Sequence, residues 1–275
     1  MKTLFISDLD GTLLTAHENI SEYSLKNLNR LIDDGMVFTY ATARSLNSAA
    51  KACWGLRQNY PVILYNGAVI MEAWNGNKLY TNPFNKGQLR YLKSLFEQYD
   101  VWPLAYSFNG SREKVSWVKG KETQGVLRYL LRRKGDCRLN PIQKREDVAE
   151  DEIFYFTCIG KKENLEGVRK GVEQSLDMRC IFEQEKYQTD YWCEIMPTTT
   201  SKGTAAKVLK DILKADRLVV FGDGINDKEL FFAADESYAV KNAEEELKKI
   251  STAEIGYSEE DSVVKFLQNN IKKYL

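Results

Sequence analysis

An α/β fold, a parallel sheet wrapped by helices and interrupted by an α+β insertion, is what this sequence predicts, and three observations predict it. Over both ends of the chain, short apolar runs that read as buried strands alternate with amphipathic segments at helical spacing, the pattern of β-α-β units. Between them the rhythm changes to adjacent strands joined by short turns, with helices interspersed. The chain has 275 residues, long for one compact core, so two domains or one domain with an insertion are expected.

The first strand is the run Leu4, Phe5, Ile6, which breaks at Ser7 into Asp8, Leu9, Asp10, Gly11 and Thr12. Residues i and i+2 of an extended chain point the same way, so Asp8 and Asp10 are expected to reach one site. That site lies at the carboxyl end of the strand, where open α/β sheets bind ligands. Two carboxylates so close repel, so either a hard divalent cation sits between them or one keeps a proton. Gly11 lets the backbone turn, and Thr12 can tie the turn by side-chain hydrogen bonds.

Leu25, Leu28, Leu31 and Ile32 give residues 21–33 a helical spacing, with Gly35 as the stop. Residues 37–41 read as a second buried strand running into Thr42, Ala43 and Arg44, with a helix from Ser45. A third apolar run, 62–65, ends at Asn66 and Gly67. Residues 69–81 predict a hairpin about Asn75, Gly76 and Asn77, and Pro83 breaks the pattern. In the insertion, helices are expected at 88–98, 123–133 and 164–176. Strands are expected at 101–108, 114–119, 153–159 and 179–185.

The alternating pattern is expected to resume at Cys193, Glu194, Ile195, Met196 and Pro197. A helix (204–213), a buried strand (218–221) ending in Gly222 and Asp223, and a helix (226–233) follow. A short strand (238–240) and helices at 243–250 and 261–271 close the chain. This divides the chain into a core of residues 1–82 and 188–275 and an insertion of residues 83–187.

Composition excludes several classes of function. Lys plus Arg and Asp plus Glu are equal at 39 each, so no overall charge draws the chain to nucleic acid or an anionic membrane. No apolar run reaches the length of a signal-peptide core or a membrane span, and residence in the cytoplasm is the expectation. The five cysteines, Cys53, Cys137, Cys158, Cys180 and Cys193, form no C-x-x-C pair, which argues against a disulfide framework or a zinc site. His17, the only histidine, reads as a surface residue in a polar loop, so chemistry built on carboxylates is favoured over any histidine-dependent triad.

Three further stretches carry chemistry. The Thr42 hydroxyl at the end of strand two suits either a phosphate oxygen or the cap of the next helix. Lys202, between Ser201 and Gly203 at a helix start, opposes the helix dipole; it is placed there either to bind an anion or as a solvated side chain. Gly222-Asp223-Gly224-Ile225-Asn226-Asp227 follows an apolar strand with two more acids, supplying hard oxygen ligands or a plain turn and cap. In the insertion, the basic cluster Arg128, Arg132, Arg133, Lys134 and Arg138 reads as a solvated helix face or as a surface for a binding partner.

In order, DLDGT, a Thr after the second strand, YNGA, EIMP, SKGTA and GDGIND resemble the haloacid dehalogenase superfamily of phosphohydrolases, in particular its Cof-type branch. The stretch similar to that family's A-T-G-R reads Ala41, Thr42, Ala43, Arg44 here. The resemblance covers the whole chain and implies a Rossmann-like parallel-sheet core with an inserted α+β cap domain that selects substrate. It implies Asp8 as nucleophile forming an aspartyl-phosphate, and Asp10 as general acid and base. Mg²⁺ would be held by the Asp8 side chain, the Asp10 carbonyl and Asp223. Thr42, Lys202, Asn226 and the N–H groups of Leu9 and Ala43 would cradle the phosphoryl oxygens, with Asp227 supporting. The implied activity is Mg²⁺-dependent hydrolysis of small phosphorylated metabolites, sugar phosphates first, by a monomer or weak homodimer with no nucleic-acid or membrane partner. The alternatives are phosphoryl transfer or mutase chemistry on sugar phosphates, and an idle enzyme that binds a partner through the cap.

Overall fold

The computed structural model describes residues 1–148, 151–185 and 188–274. The chain divides into two compact units, Met1–Thr81 with Thr200–Leu275, and Asn82–Thr199.

The first unit runs β1 (Thr3–Ser7), α1 (Glu22–Asp33), β2 (Val37–Tyr40), α2 (Leu46–Ala52), β3 (Val62–Leu64), β4 (Val69–Met71) and β5 (Lys78–Thr81). After the insertion it resumes with α6 (Lys202–Ile212), β12 (Arg217–Gly222), α7 (Lys228–Ala233), β13 (Glu236–Ala239), α8 (Glu245–Ile250), β14 (Ala253–Glu254) and α9 (Ser262–Asn270). Its main sheet is all parallel in the order β14-β13-β12-β1-β2. Every residue of β1 is buried, which is why its sequence is a continuous apolar run and not an alternating one. β3, β4 and β5 form a small antiparallel sheet, with β3 following Ala41 through a single parallel bridge to Ile63. α1 packs on α9, and α6 packs on α7.

The site depends on how closely α6 can approach its neighbours. Gly67 has φ +98°, and a Cβ there would lie 2.0 Å from the Ser201 carbonyl oxygen. A Cβ on Gly203 would lie 2.0 Å from the Glu229 carbonyl oxygen of α7. Only hydrogen fits at either position, so the start of α6 is clasped between the turn after β3 and α7.

The second unit contains α3 (Lys86–Gln98), β6 (Leu104–Asn109), β7 (Arg112–Val118), α4 (Gln124–Leu131), β8 (Leu139–Ile142), β9 (Glu152–Gly160), α5 (Lys162–Gln174), β10 (Met178–Gln184) and β11 (Tyr191–Pro197). Its sheet has the order β10-β11-β9-β6-β7-β8, antiparallel except where β7 meets β8. Leu92, Leu95 and Phe96 of α3 and Leu165, Val168 and Val172 of α5 pack with Ala105, Phe156, Cys158, Cys193 and Ile195 as one core.

Two expectations need correction here. Residues 193–197 do not resume the parallel core; as part of β11 they pair antiparallel with β9 and β10, so this unit ends at Thr199 and not at residue 187. The basic cluster is a solvated face only in part: Arg132 and Lys134 are exposed, but four of its five residues have partners. Arg128 pairs with Asp190, and Arg132 with Glu185 at 3.1 Å. Arg138 is buried between Glu113 and Asp136, each at 2.7 Å, and Arg133 stacks on Tyr129 at 3.7 Å.

Candidate active site

Three stretches meet at the carboxyl ends of β1 and β12. β1 ends at Ser7, and the Asp8 N–H donates to the Phe221 carbonyl oxygen of β12 at 2.9 Å, which fixes Asp8 beside the neighbouring strand's end. Asp8 is buried, and its Oδ1 accepts from Lys202 Nζ at 2.8 Å. The same ammonium donates to Asp227 Oδ1 at 2.7 Å, and the Lys202 side chain is fully buried. Asp227 Oδ2 accepts from the N–H groups of Asp223 and Gly224, each at 3.1 Å, while Asp223 Oδ1 accepts from Thr12 Oγ1 at 2.8 Å. Carboxylate oxygens of Asp8, Asp223 and Asp227 all lie within 4.8 Å of one another.

Asp8 and Asp227 thus share one ammonium, with the Asp223 carboxylate beside them. Burial, then the Asp227 charge, pushes the Asp8 carboxyl well above the usual carboxylate range despite the opposing pull of Lys202. Burial likewise raises Asp223 to about 6, against the Thr12 hydrogen bond. Burial alone would lower the Lys202 ammonium, but Asp227 and Asp8 more than compensate and hold it protonated. Asp227 spends one oxygen on Lys202 and the other on two N–H groups, so it positions the lysine. The second oxygens of Asp8 and Asp223 then offer hard donors that suit a small divalent cation.

The sign of the linkage follows. Between an ordinary Asp pKa and about 6, the folded protein holds more protons on Asp223 than the unfolded chain does, so metal-free stability from this group falls as pH rises through that window. A divalent cation would need the deprotonated site. Saturating Mg²⁺ is therefore expected to raise Tm by roughly 5 °C at pH 7.5 and by much less at pH 5. Asp223→Asn is expected to raise the Tm of the metal-free protein at pH 7.5 and to remove the Mg²⁺ shift, both read by calorimetry with and without EDTA.

Asp10 is placed differently from the sequence expectation. The chain leaves the extended conformation after Asp8: residues 9–13 form a tight turn closed by Leu14 N–H to the Leu9 carbonyl, with Gly11 at φ +73°. The alternation of a strand no longer applies, and the Asp10 carboxylate is half-exposed and gripped by Arg44, Nε to Oδ2 at 2.8 Å and Nη2 to Oδ1 at 2.5 Å. Arg44 also bonds Glu18 at 3.0 Å. The carboxyl grouped with Asp8 and Asp223 is that of Asp227.

Thr42 is fully buried, and its hydroxyl accepts from the Arg44 N–H at 3.1 Å; the cap of α2 is Ser45, so Thr42 is not that cap. Ala43 is exposed and Leu9 buried. Asn226 donates through Nδ2 to Asn66 Oδ1 at 3.1 Å, and the Asn66 N–H donates to the Thr42 carbonyl at 3.0 Å. Arg44 and Asn66 were not among the expected site residues. The signals for them were present in the A-T-A-R and Y-N-G-A stretches, where a charged or amide side chain directly follows an apolar strand.

A family model described as haloacid dehalogenase-like hydrolase matches residues 5–267. A Bacillus subtilis protein named 5-amino-6-(5-phospho-D-ribitylamino)uracil phosphatase is 27% identical, over 97% of this chain and 97% of its own length. The HMP-PP phosphatase of Escherichia coli (strain K12 / DH10B) is 23% identical, over 90% of this chain and 87% of its own. Among solved structures, a Thermotoga maritima protein superposes with a TM-score of 0.76 at 22% identity, over 98% of this chain and 97% of its own. A phosphatase of the haloalkanoate superfamily from Bacteroides thetaiotaomicron gives 0.75 at 18%, over 98% and 95%. These two share the fold.

Proposed function

The chain belongs to the haloacid dehalogenase-like hydrolases and is a phosphatase of that family, and from this we propose that it hydrolyses phosphomonoesters of small metabolites, sugar phosphates first, with Mg²⁺. The observation that carries this reading is the single buried ammonium of Lys202 shared by Asp8 and Asp227, beside Asp223. The Bacillus relative's named substrate carries its phosphate on a ribityl chain, which supports a polyol phosphate as substrate class.

In this reading Asp8 attacks phosphorus through a carboxylate oxygen, the ester oxygen leaves, and water later cleaves the aspartyl-phosphate. Asp8 must be ionised to attack, and its burial opposes that, so Lys202 is needed to hold the charge on the nucleophile. Mg²⁺ would be held by the Asp8 side chain, the Asp10 carbonyl and Asp223, and would supply positive charge between an anionic nucleophile and an anionic substrate. Thr42, Lys202 and Asn226, with the N–H groups of Leu9 and Ala43, cradle the phosphoryl oxygens. Positioning of that kind supplies most of the rate in phosphoryl transfer. Once its carboxyl exchanges the Arg44 guanidinium for substrate and takes up a proton from solvent, Asp10 gives that proton to the leaving oxygen and then accepts one from the water that cleaves the aspartyl-phosphate. The inserted unit selects the substrate.

The test is phosphate release from a panel of hexose, pentose and polyol phosphates, nucleotides and phosphorylated cofactors. Turnover of at least one polyol or sugar phosphate, stopped by EDTA and restored by Mg²⁺, is the expected result. No release from any member by folded, Mg²⁺-loaded protein overturns the reading.

A further inference from the structure

The second unit contains a cavity of about 500 Å³ on the face of its sheet that carries α3. Its size falls in the range of small-molecule sites. The floor is Ala105, Ser116, Val118 and Ile142, successive residues on one face of β6, β7 and β8, and the wall is Leu89 and Phe96 of α3. At this end of the sheet the α3 wall and the short helical turn Arg145–Val148, which contacts β7, border the space, while α5 packs over β9, β10 and β11.

Lys86, Arg90, Lys93 and Arg145 line it with one acid among the described residues, Glu146; Lys93 is paired with Glu146 at 2.8 Å and with Glu97 at 3.8 Å, and Glu97 and Asp100 stand near Arg145 without bonding it. Neither Lys86 nor Arg90 meets a carboxylate among the described residues. Arg145 is held in place from two sides. Its Nη2 donates to the Val101 carbonyl at 2.7 Å, and its guanidinium lies 4.0 Å over the Trp102 ring. Its Nη1, however, is buried and has no hydrogen-bond partner. A fixed guanidinium with a buried, unspent donor is costly unless an acceptor arrives, and the planar fork of arginine matches carboxylate, sulfonate and phosphate oxygens. Phe96, Phe156 and Trp102 present aromatic surface to whatever enters.

We propose that this cavity, whose lining includes no residue of the Asp8 centre, is a second ligand site that binds an aromatic anion: a flat apolar ring system carrying one anionic group, the rings on the sheet floor and the anion on Arg145 with Arg90. The proposal does not rest on the phosphatase reading, since no residue of the Asp8 cluster takes part.

The test uses the full chain and two fluorescent probes of the same size class, the anion 8-anilinonaphthalene-1-sulfonate and the uncharged N-phenyl-1-naphthylamine. The sulfonate is expected to bind with one-to-one stoichiometry by titration, with energy transfer from tryptophan, and equally well in Asp8→Asn. Leu89→Trp, at a half-buried position where extra volume projects into the cavity, is expected to abolish binding of both probes without changing the circular dichroism. Arg90→Met with Arg145→Met is expected to weaken the sulfonate at least about tenfold, the size of losing a charge-assisted contact, and to leave the neutral probe nearly unchanged. Should the double variant be unstable, Arg90→Met alone, an exposed change, is expected to weaken the sulfonate selectively. Absence of stoichiometric binding, binding that survives Leu89→Trp, or equal loss of both probes in the arginine variants overturns the proposal.

Discussion

Asp8→Asn is expected to lower phosphate release by at least about 10³-fold, because it removes the attacking oxygen and leaves the surrounding scaffold intact. The amide has nearly the shape of the carboxylate, and the Asp8 N–H to Phe221 bond that anchors the residue does not involve the side chain. Burial opposes the charge on Asp8, so removing that charge does not destabilise the metal-free protein. The signature is therefore a collapse in kcat with an unchanged or higher Tm, and with substrate affinity retained by calorimetry. Activity within about tenfold of the parent would show that another group attacks phosphorus.

Lys202→Met is expected to damage both stability and rate. The lysine side chain is fully buried between Asp8 and Asp227, and removing one partner of a buried charge cluster leaves the others unpaired, at about 3–5 kcal/mol. Urea denaturation of the metal-free protein at pH 7.5 measures this loss. The loss is expected to shrink on acidification, since Asp8 then takes up the proton its burial favours. With Mg²⁺ present, kcat is expected to fall by about 10²–10³-fold, the scale of losing one preorganised charge on a developing transition state. A variant as stable at pH 7.5 as at pH 5 would mean that Lys202 does not carry the cluster's charge balance.

The parallel core was legible because its strands are buried on both faces: Leu4 to Ile6 and Leu218 to Phe221 are unbroken apolar runs ending in acids, and nothing but a buried strand end explains both halves. Asp8 and Asp223 were legible for the same reason, since each sits one step beyond a strand whose limit the pattern gives, and Lys202 because it opens α6 with a charge that opposes the helix dipole. The Asp10 carboxylate pairs with Arg44 and does not join those of Asp8, Asp223 and Asp227, because the i, i+2 rule holds only while the chain stays extended, and the conformational change after Asp8 has no apolar signature. The run from Cys193 to Pro197 reads identically whether it pairs in parallel or antiparallel; only its partners Cys158 and Ile181 opposite Cys193 and Glu194 decide, and pairing at such separation leaves no local mark. β8 carries no strand signature, because Leu139, Asn140, Pro141 and Ile142 form an edge strand whose Pro reads as a break.

The inserted unit begins at Asn82 and ends at Thr199, and Asn82 Nδ2 donates to Thr199 Oγ1 at 2.8 Å. Its entry and exit are therefore neighbours, so the host chain sees an excursion of more than a hundred residues as a gap no wider than a hairpin turn. The entropy of closing a loop depends on the distance between its ends, and a folded insert that brings its own ends together asks nothing more of the host than a short turn would. Such a joint makes the two halves of this protein separable in evolution: one can be exchanged, lengthened or rebuilt around a new ligand while the strand ends that hold Asp8 and Asp223 stay where they are.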